Sequence, residues 1–145
     1  MINIYLDTSG SMSEMGKDSS LVYLAKSIED YCNFKGINSI FFTLDGNIIK
    51  DLKFIQYSNN IKLDTNNIKP DSILLSDGLF NIEKENIFDI AISIGIDSDT
   101  INLKKISTKL FSNDNILAGL EYLLFTNNLL SLNVAYEEED DEDEW

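Results

Sequence analysis

Five consecutive residues, Asp7-Thr8-Ser9-Gly10-Ser11, place one carboxylate and two hydroxyls at alternate positions immediately after the short apolar run 2–6. If the chain turns at Gly10, Asp7, Ser9 and Ser11 can converge on one point, offering hard oxygen donors of low total charge to Mg2+, Mn2+ or Ca2+. The same residues also suit a plainer role, a strand-end aspartate with serines capping a turn. Composition narrows the chemistry further. The chain has no histidine, and Cys32 is its single cysteine. Histidine bases, Ser-His-Asp or Cys-His catalysis and Cys/His zinc sites are therefore excluded within this chain. Any metal it holds must be bound by oxygen.

Those donors need a scaffold, and 145 residues with 43 % hydrophobic content suit a single domain with one core. No apolar run reaches the roughly 18 residues of a membrane helix, and residues 1–6 resemble neither a secretory signal nor a transit peptide, so a cytoplasmic location is expected. The net charge of −14 comes from 25 acidic residues against 11 basic ones, all lysine. Bare phosphate backbones should be repelled, so no direct nucleic-acid contact is expected. The charge is concentrated in residues 137–144, eight consecutive carboxylates followed by Trp145, the only tryptophan. A compact domain over 1–132 with an acidic tail over 133–145 follows. The tail reads as a solvated segment or, because it closes on an aromatic, as a docking peptide whose partner-binding residues would include Glu137, Asp140, Asp141 and Trp145.

Along the body, apolar residues at 21, 24, 25, 28, 31 and 32 make one helical face, with Asp18 or Ser19 as its cap and Gly36 as its stop. Cys32 falls on this face and reads as a small core residue. Residues 40–44 and 47–52 predict two strands joined by Asp45-Gly46, a strong hairpin signal. Residues 55–71 are polar and asparagine-rich, without a sustained period. Strands are predicted at 72–76, ending in Asp77-Gly78, and at 88–96, ending at Asp97. Asp99 or Thr100 should cap a short helix, and Asp97 and Asp99 read as capping residues rather than calcium ligands. Leu110 and Phe111 predict a last strand, and Asn113 or Asp114 a cap for an apolar helix reaching about 130. Strands alternating with helices argue a parallel α/β sheet.

Three ordered motifs, residues 6–12 (LDTSGSM), 73–78 (ILLSDG) and 91–99 (AISIGIDSD) followed by 103–106 (LKKI), resemble those of a von Willebrand factor type A domain. The resemblance covers residues 1 to about 130. It implies a doubly wound open sheet of order 3-2-1-4-5-6 with one antiparallel edge strand. In that order the first and fourth strands are neighbours at a topological switch point, where ligands sit beyond the strand carboxyl ends. The family's metal-ion-dependent adhesion site would make Asp7, Ser9 and Ser11 ligands of Mg2+ (or Mn2+ or Ca2+), with Asp77 bound directly or through water. The usual ligand threonine comes from a Gly-rich turn that this chain lacks. Thr65 is the only threonine in residues 55–71, and Asp64, Ser58 or nothing could take its place.

The resemblance implies binding rather than bond-breaking, through an open metal position that accepts an acidic side chain of a partner. A cytoplasmic adaptor or subunit is expected, beside an AAA+ ATPase of the MoxR type or another subunit of the same system. The alternatives are a structural subunit with a vestigial metal site and a Mg2+-dependent hydrolase. The hydrolase is disfavoured, because there is no histidine or arginine and no second aspartate two residues after Asp7. Finally, residues 55–71 and 77–87 look too poor in helix to cover one face of the sheet. That predicts a hetero-complex or homodimer through the under-covered face.

Overall fold

The structure, a computed structural model, describes residues 1–129. Six strands form one sheet of order β3-β2-β1-β4-β5-β6. Ile2–Leu6 is β1, Ser39–Thr43 β2, Ile48–Ile49 β3, Ser72–Ser76 β4, Phe88–Ser93 β5 and Ser107–Ser112 β6. All neighbours are parallel except β2 and β3, which are joined through Asp45-Gly46. The helices are α1 (Lys17–Lys35), α2 (Thr100–Ile106) and α3 (Ile116–Thr126). This is the doubly wound α/β sheet, one antiparallel edge included, that the alternation of strands and helices and the three motifs predict.

Several boundaries move, each for a local reason. The helix α1 begins at Lys17, after Gly16 in a left-handed conformation, rather than at a cap on Asp18 or Ser19; Lys17 is drawn into the first turn by buried ion pairs described below. Gly36 ends it, with φ of 70° and amide bonds back to the last turn. The run 47–52 yields only the two-residue β3 before a 3-10 turn at Leu52–Phe54. β5 stops at Ser93 because Gly95 turns the chain with φ of +91°, leaving Ile96 exposed. Asp99 caps α2, its carboxylate accepting the amide of Asn102 at 3.0 Å. β6 follows α2 without a loop, and a 3-10 turn over Asn113–Asn115 delays α3 to Ile116.

The first helix and α3 cover one face, where Leu21, Leu24, Ala25, Ile28 and Cys32 meet Ile4, Leu6, Ile73, Leu75 and Ile92 beneath Leu120, Leu123 and Leu124. Burial pushes the Cys32 thiol up to about 11, in keeping with a core role. Among the described residues the opposite face carries a single short helix, α2, as the sparse helical signal in that part of the sequence leads one to expect.

That face is nevertheless not bare, which overturns the expected apolar patch. Tyr5, Phe42, Leu74, Phe88 and Ala91 are all buried under the chain's own irregular segments. Ile61, Leu63, Ile68, Phe80, Ile82 and Ile87 supply the cover together with Leu103 and Ile106 of α2. The Tyr5 ring stacks on Phe42 at 5.0 Å and meets Phe88 edge-on at 5.3 Å, while its hydroxyl accepts the Lys69 amide at 3.1 Å. A loop needs no helical period to bury an isoleucine every few residues. Replacing Leu63 and Ile68 together with serine is expected to cost about 1–2 kcal/mol per residue, since each is half-buried. It should also produce hydrophobic-dye binding that the unaltered chain does not show, checked by dye fluorescence at fixed protein concentration.

Candidate functional site

The parallel register that pairs Leu6 with Leu75 sets the next residues of β1 and β4, Asp7 and Ser76, side by side at the carboxyl edge of the sheet. The amide of Asp7 donates to Leu75 O at 3.0 Å. The Asp7 carboxylate is fully buried. Its Oδ2 accepts the Ser76 hydroxyl at 2.6 Å and its Oδ1 accepts the Ser9 amide at 2.9 Å. No lysine within salt-bridge distance answers its charge among the described residues. Burial therefore pushes its pKa above the ordinary carboxylate value, the hydrogen bonds from Ser76 and Ser9 pull part of the way back, and the charge of Asp77 adds to the rise. A buried, uncompensated carboxylate is costly unless it coordinates a cation or is paired.

Beside it the chain turns into a short 3-10 segment, Gly10–Ser13, and the hydroxyls of Ser9 and Ser11 come within 3.4 Å of each other. The convergence expected of the DTSGS pattern is thus realised for the serines. Two more oxygens are buried nearby in sequence or field without a hydrogen-bond partner among the described residues. One is Thr8 Oγ1, and the other is the Tyr57 hydroxyl. The Tyr57 phenol is pushed up to about 12, by burial first and then by the charges of Asp18 and Asp7. Among the described residues no group of three or more carboxylate or thiol side chains could hold a metal. A cation here would depend on Asp7, on hydroxyl oxygens and on water. That donor set is hard and weakly charged, which fits Mg2+ or Mn2+ and not a thiophilic metal.

A cleft of about 590 Å³ opens over this loop, with Ser9, Ser11, Asn59, Thr65, Leu79 and Glu83 in its wall. Thr65 is thus brought to the same cleft as the two serines. Ser58 borders a second depression beside Gly10 and Ser11, and its amide donates to Thr8 O at 3.0 Å. Asp64 lines neither, and its carboxylate is taken by the Asn67 side chain at 2.8 Å. Asn59 lies directly against Gly10, where a Cβ would overlap its side-chain oxygen, so the long irregular segment seats on the turn.

Asp77 is also fully buried at the end of β4, but a different arrangement surrounds it. Its Oδ2 accepts the Lys17 ammonium at 3.0 Å, and its Oδ1 accepts the Leu79 amide at 3.1 Å. Lys17 also reaches both oxygens of Asp97, at 2.9 and 3.1 Å. Burial works to lower the lysine's pKa, but Asp97 and Asp77 outweigh it and hold the ammonium above its ordinary range. The hydrogen bond from Lys17 in turn holds the Asp97 carboxyl below its usual value. Asp97 is therefore an ion-pair partner rather than a helix cap, a role that Asp99 fills alone.

Sequence reasoning missed Lys17, Ser76, Tyr57 and Glu83. For Lys17 a signal existed. It lies four residues before Leu21 and so extends the apolar stripe of α1 by one turn. The tail residues Glu137, Asp140, Asp141 and Trp145, with the expected domain boundary, lie outside the described residues. Among the described residues no helix is long and apolar enough to cross a membrane. Comparison with known proteins returns no matching family model and no similar curated protein.

Proposed function

We propose that this domain is a cation-dependent protein interaction module of the von Willebrand factor A kind. It would act as an adaptor or subunit in a cytoplasmic multiprotein system, with an AAA+ ATPase as one candidate companion. The observation that carries this reading is Asp7, a fully buried carboxylate without a cationic partner, set beside two hydroxyls 3.4 Å apart at the mouth of a cleft. Asp7, Ser9 and Ser11 would hold Mg2+ or Mn2+, with Thr65, in the wall of the same cleft, or Ser58, whose amide bonds Thr8 O, as the candidates for a further oxygen. The bound ion would supply a positive centre able to attract an acidic side chain of a partner. The one serine hydroxyl that donates to Asp7, that of Ser76, is itself fully buried and lines neither depression, so binding fits better than hydrolysis.

A second reading, a structural subunit with a vestigial site, is favoured by Lys17, which already neutralises Asp77 from within the chain. Calorimetric titration of the purified chain with Mg2+ and Mn2+ separates the two. The module reading expects saturable heat at one site per chain, lost on chelation and absent from an Asp7→Asn variant. Silence in both titrations, with no shift in thermal midpoint, would leave the structural subunit standing.

A further inference from the structure

A cation already sits among the carboxylates at this edge of the sheet, and it belongs to the chain. Lys17 Nζ contacts Asp77 and both oxygens of Asp97 at 2.9–3.1 Å, with its side chain only 2 % exposed. Three features make the position a built one. Lysine is among the residues least often buried. Lys17 is the first residue of α1, where the helix dipole opposes positive charge. Gly95 is also fitted to its stem, since a Cβ there would lie 2.7 Å from Lys17 Cδ.

We propose that Lys17 is a positioning residue that sets the charge of the Asp7 site, keeping Asp77 from a bound divalent cation so that the ion retains positive charge for a partner's carboxylate. The proposal rests on the reading of the Asp7 loop as a cation site. A divalent ion facing Asp7 alone is half neutralised by the protein, and the hydroxyls of Ser9 and Ser11 add no charge. Were Asp77 free, the same ion would be fully neutralised. It would bind more tightly and attract an incoming anion less. Lys17 thus weakens the hold on the cation and strengthens the hold on the acidic ligand. Because such coupling is reciprocal, cation and carboxylate should favour each other's binding in the unaltered chain. Asp97, anchored on the same ammonium, keeps Lys17 in place when the cleft is occupied.

The test is Mn2+ titration of Lys17→Met against the unaltered chain, with and without acetate as the carboxylate probe. Mn2+ should bind the variant roughly tenfold or more tightly, as expected for one added negative charge near the ion. The enhancement of Mn2+ affinity by acetate in the unaltered chain should disappear. A purely structural role for Lys17 would lower the thermal midpoint and leave Mn2+ affinity unimproved, which overturns the proposal. If Lys17→Met is too unstable to titrate, Lys17→Met/Asp97→Asn removes one of the two freed charges. That variant should gain more thermal protection from Mn2+ than the unaltered chain, and no gain again overturns the proposal. Should the unaltered chain take no Mn2+ at all, the Asp7 reading fails by itself. In that case a gain of Mn2+ binding in Lys17→Met still supports Lys17 as the residue that excludes the ion, and no gain overturns it.

Discussion

Replacing Asp7 with asparagine is expected to raise the thermal midpoint of the cation-free domain and to erase any protection given by Mg2+ or Mn2+. The folded-state pKa of Asp7 is raised above its ordinary value of 3.8, mainly by burial. A carboxylate raised in this way contributes stability that is present below the ordinary value and is lost as pH rises through the folded one. Above that ordinary value the buried carboxyl therefore opposes folding, increasingly as pH rises toward its folded-state pKa. Asparagine keeps the shape, can still accept the Ser9 amide, and can donate to Ser76 Oγ in place of accepting from it. A gain on the order of 1 kcal/mol, or about 3–5 °C, is expected. The difference between variant and unaltered chain should be near zero below the ordinary value of 3.8 and should open as pH rises above it. The cation arm runs the other way. An ion at 100 times its dissociation constant stabilises its host by about 2.7 kcal/mol, a gain open only to the chain that keeps the carboxylate. Melting curves across pH, with and without Mn2+, check both arms. A variant that melts lower than the unaltered chain at neutral pH would show that Asp7 is compensated in some other way.

Gly78→Ala should be the most damaging single-methyl change in the domain, lowering stability by about 3 kcal/mol, or on the order of 10 °C. Gly78 is left-handed at φ of +74°, and a Cβ there would stand 2.6 Å from the carbonyl oxygen of Asp99 and 2.9 Å from Leu103 Cγ. Neither obstacle is the loose end of a flexible side chain. The Asp99 amide donates to Asp77 O at 2.7 Å, and the Asn102 side chain donates to the carbonyls of Gly78 and Phe80. Moving the 78 turn would therefore move Asp77 off Lys17. Gly36 is the control, being equally left-handed at φ of +70° with nothing within 4 Å of its would-be Cβ. Gly36→Ala should cost about 1 kcal/mol. Equal losses at the two positions would mean that backbone conformation, and not the close approach to α2, sets the cost.

Much of this architecture was legible because local chemistry and tertiary position agree. Asp45-Gly46, Gly36 and the Asp99 cap each specify a turn or an end through their own backbone needs, and the structure uses all three as read. Asp7, Ser9 and Ser11 were legible for the same reason, since a strand followed by a tight turn can set alternate oxygens together. Lys17 was not, because its place depends on Asp77 and Asp97, which lie 60 and 80 residues away. Likewise, no period in residues 55–71 reveals that Ile61, Leu63 and Ile68 pack against the cluster that contains Phe42 and Leu74, because an irregular chain buries side chains at intervals that only the sheet beneath dictates. The extent of β5 was overread because Ile94 and Ile96 look alike in sequence, whereas Gly95 sends one inward and the other outward.

The segment between β3 and β4 has few backbone partners outside itself. Among them are the bonds from Ser58 to Thr8, from Asp64 to Leu44 and from Lys69 to Tyr5. It forms one wall of the cleft and is held by Ile61, Leu63 and Ile68 against one core cluster and by Leu52, Ile55 and Tyr57 against the other. Most of its remaining positions are free of the ladder geometry that constrains a strand and of the period that constrains a helix. Mutational drift can therefore rewrite what this wall presents, including its polarity, length and charge, while Ile61, Leu63 and Ile68 keep the sheet dry. Descendants of this chain could diverge in what this wall offers to the cleft long before they diverge in how they fold.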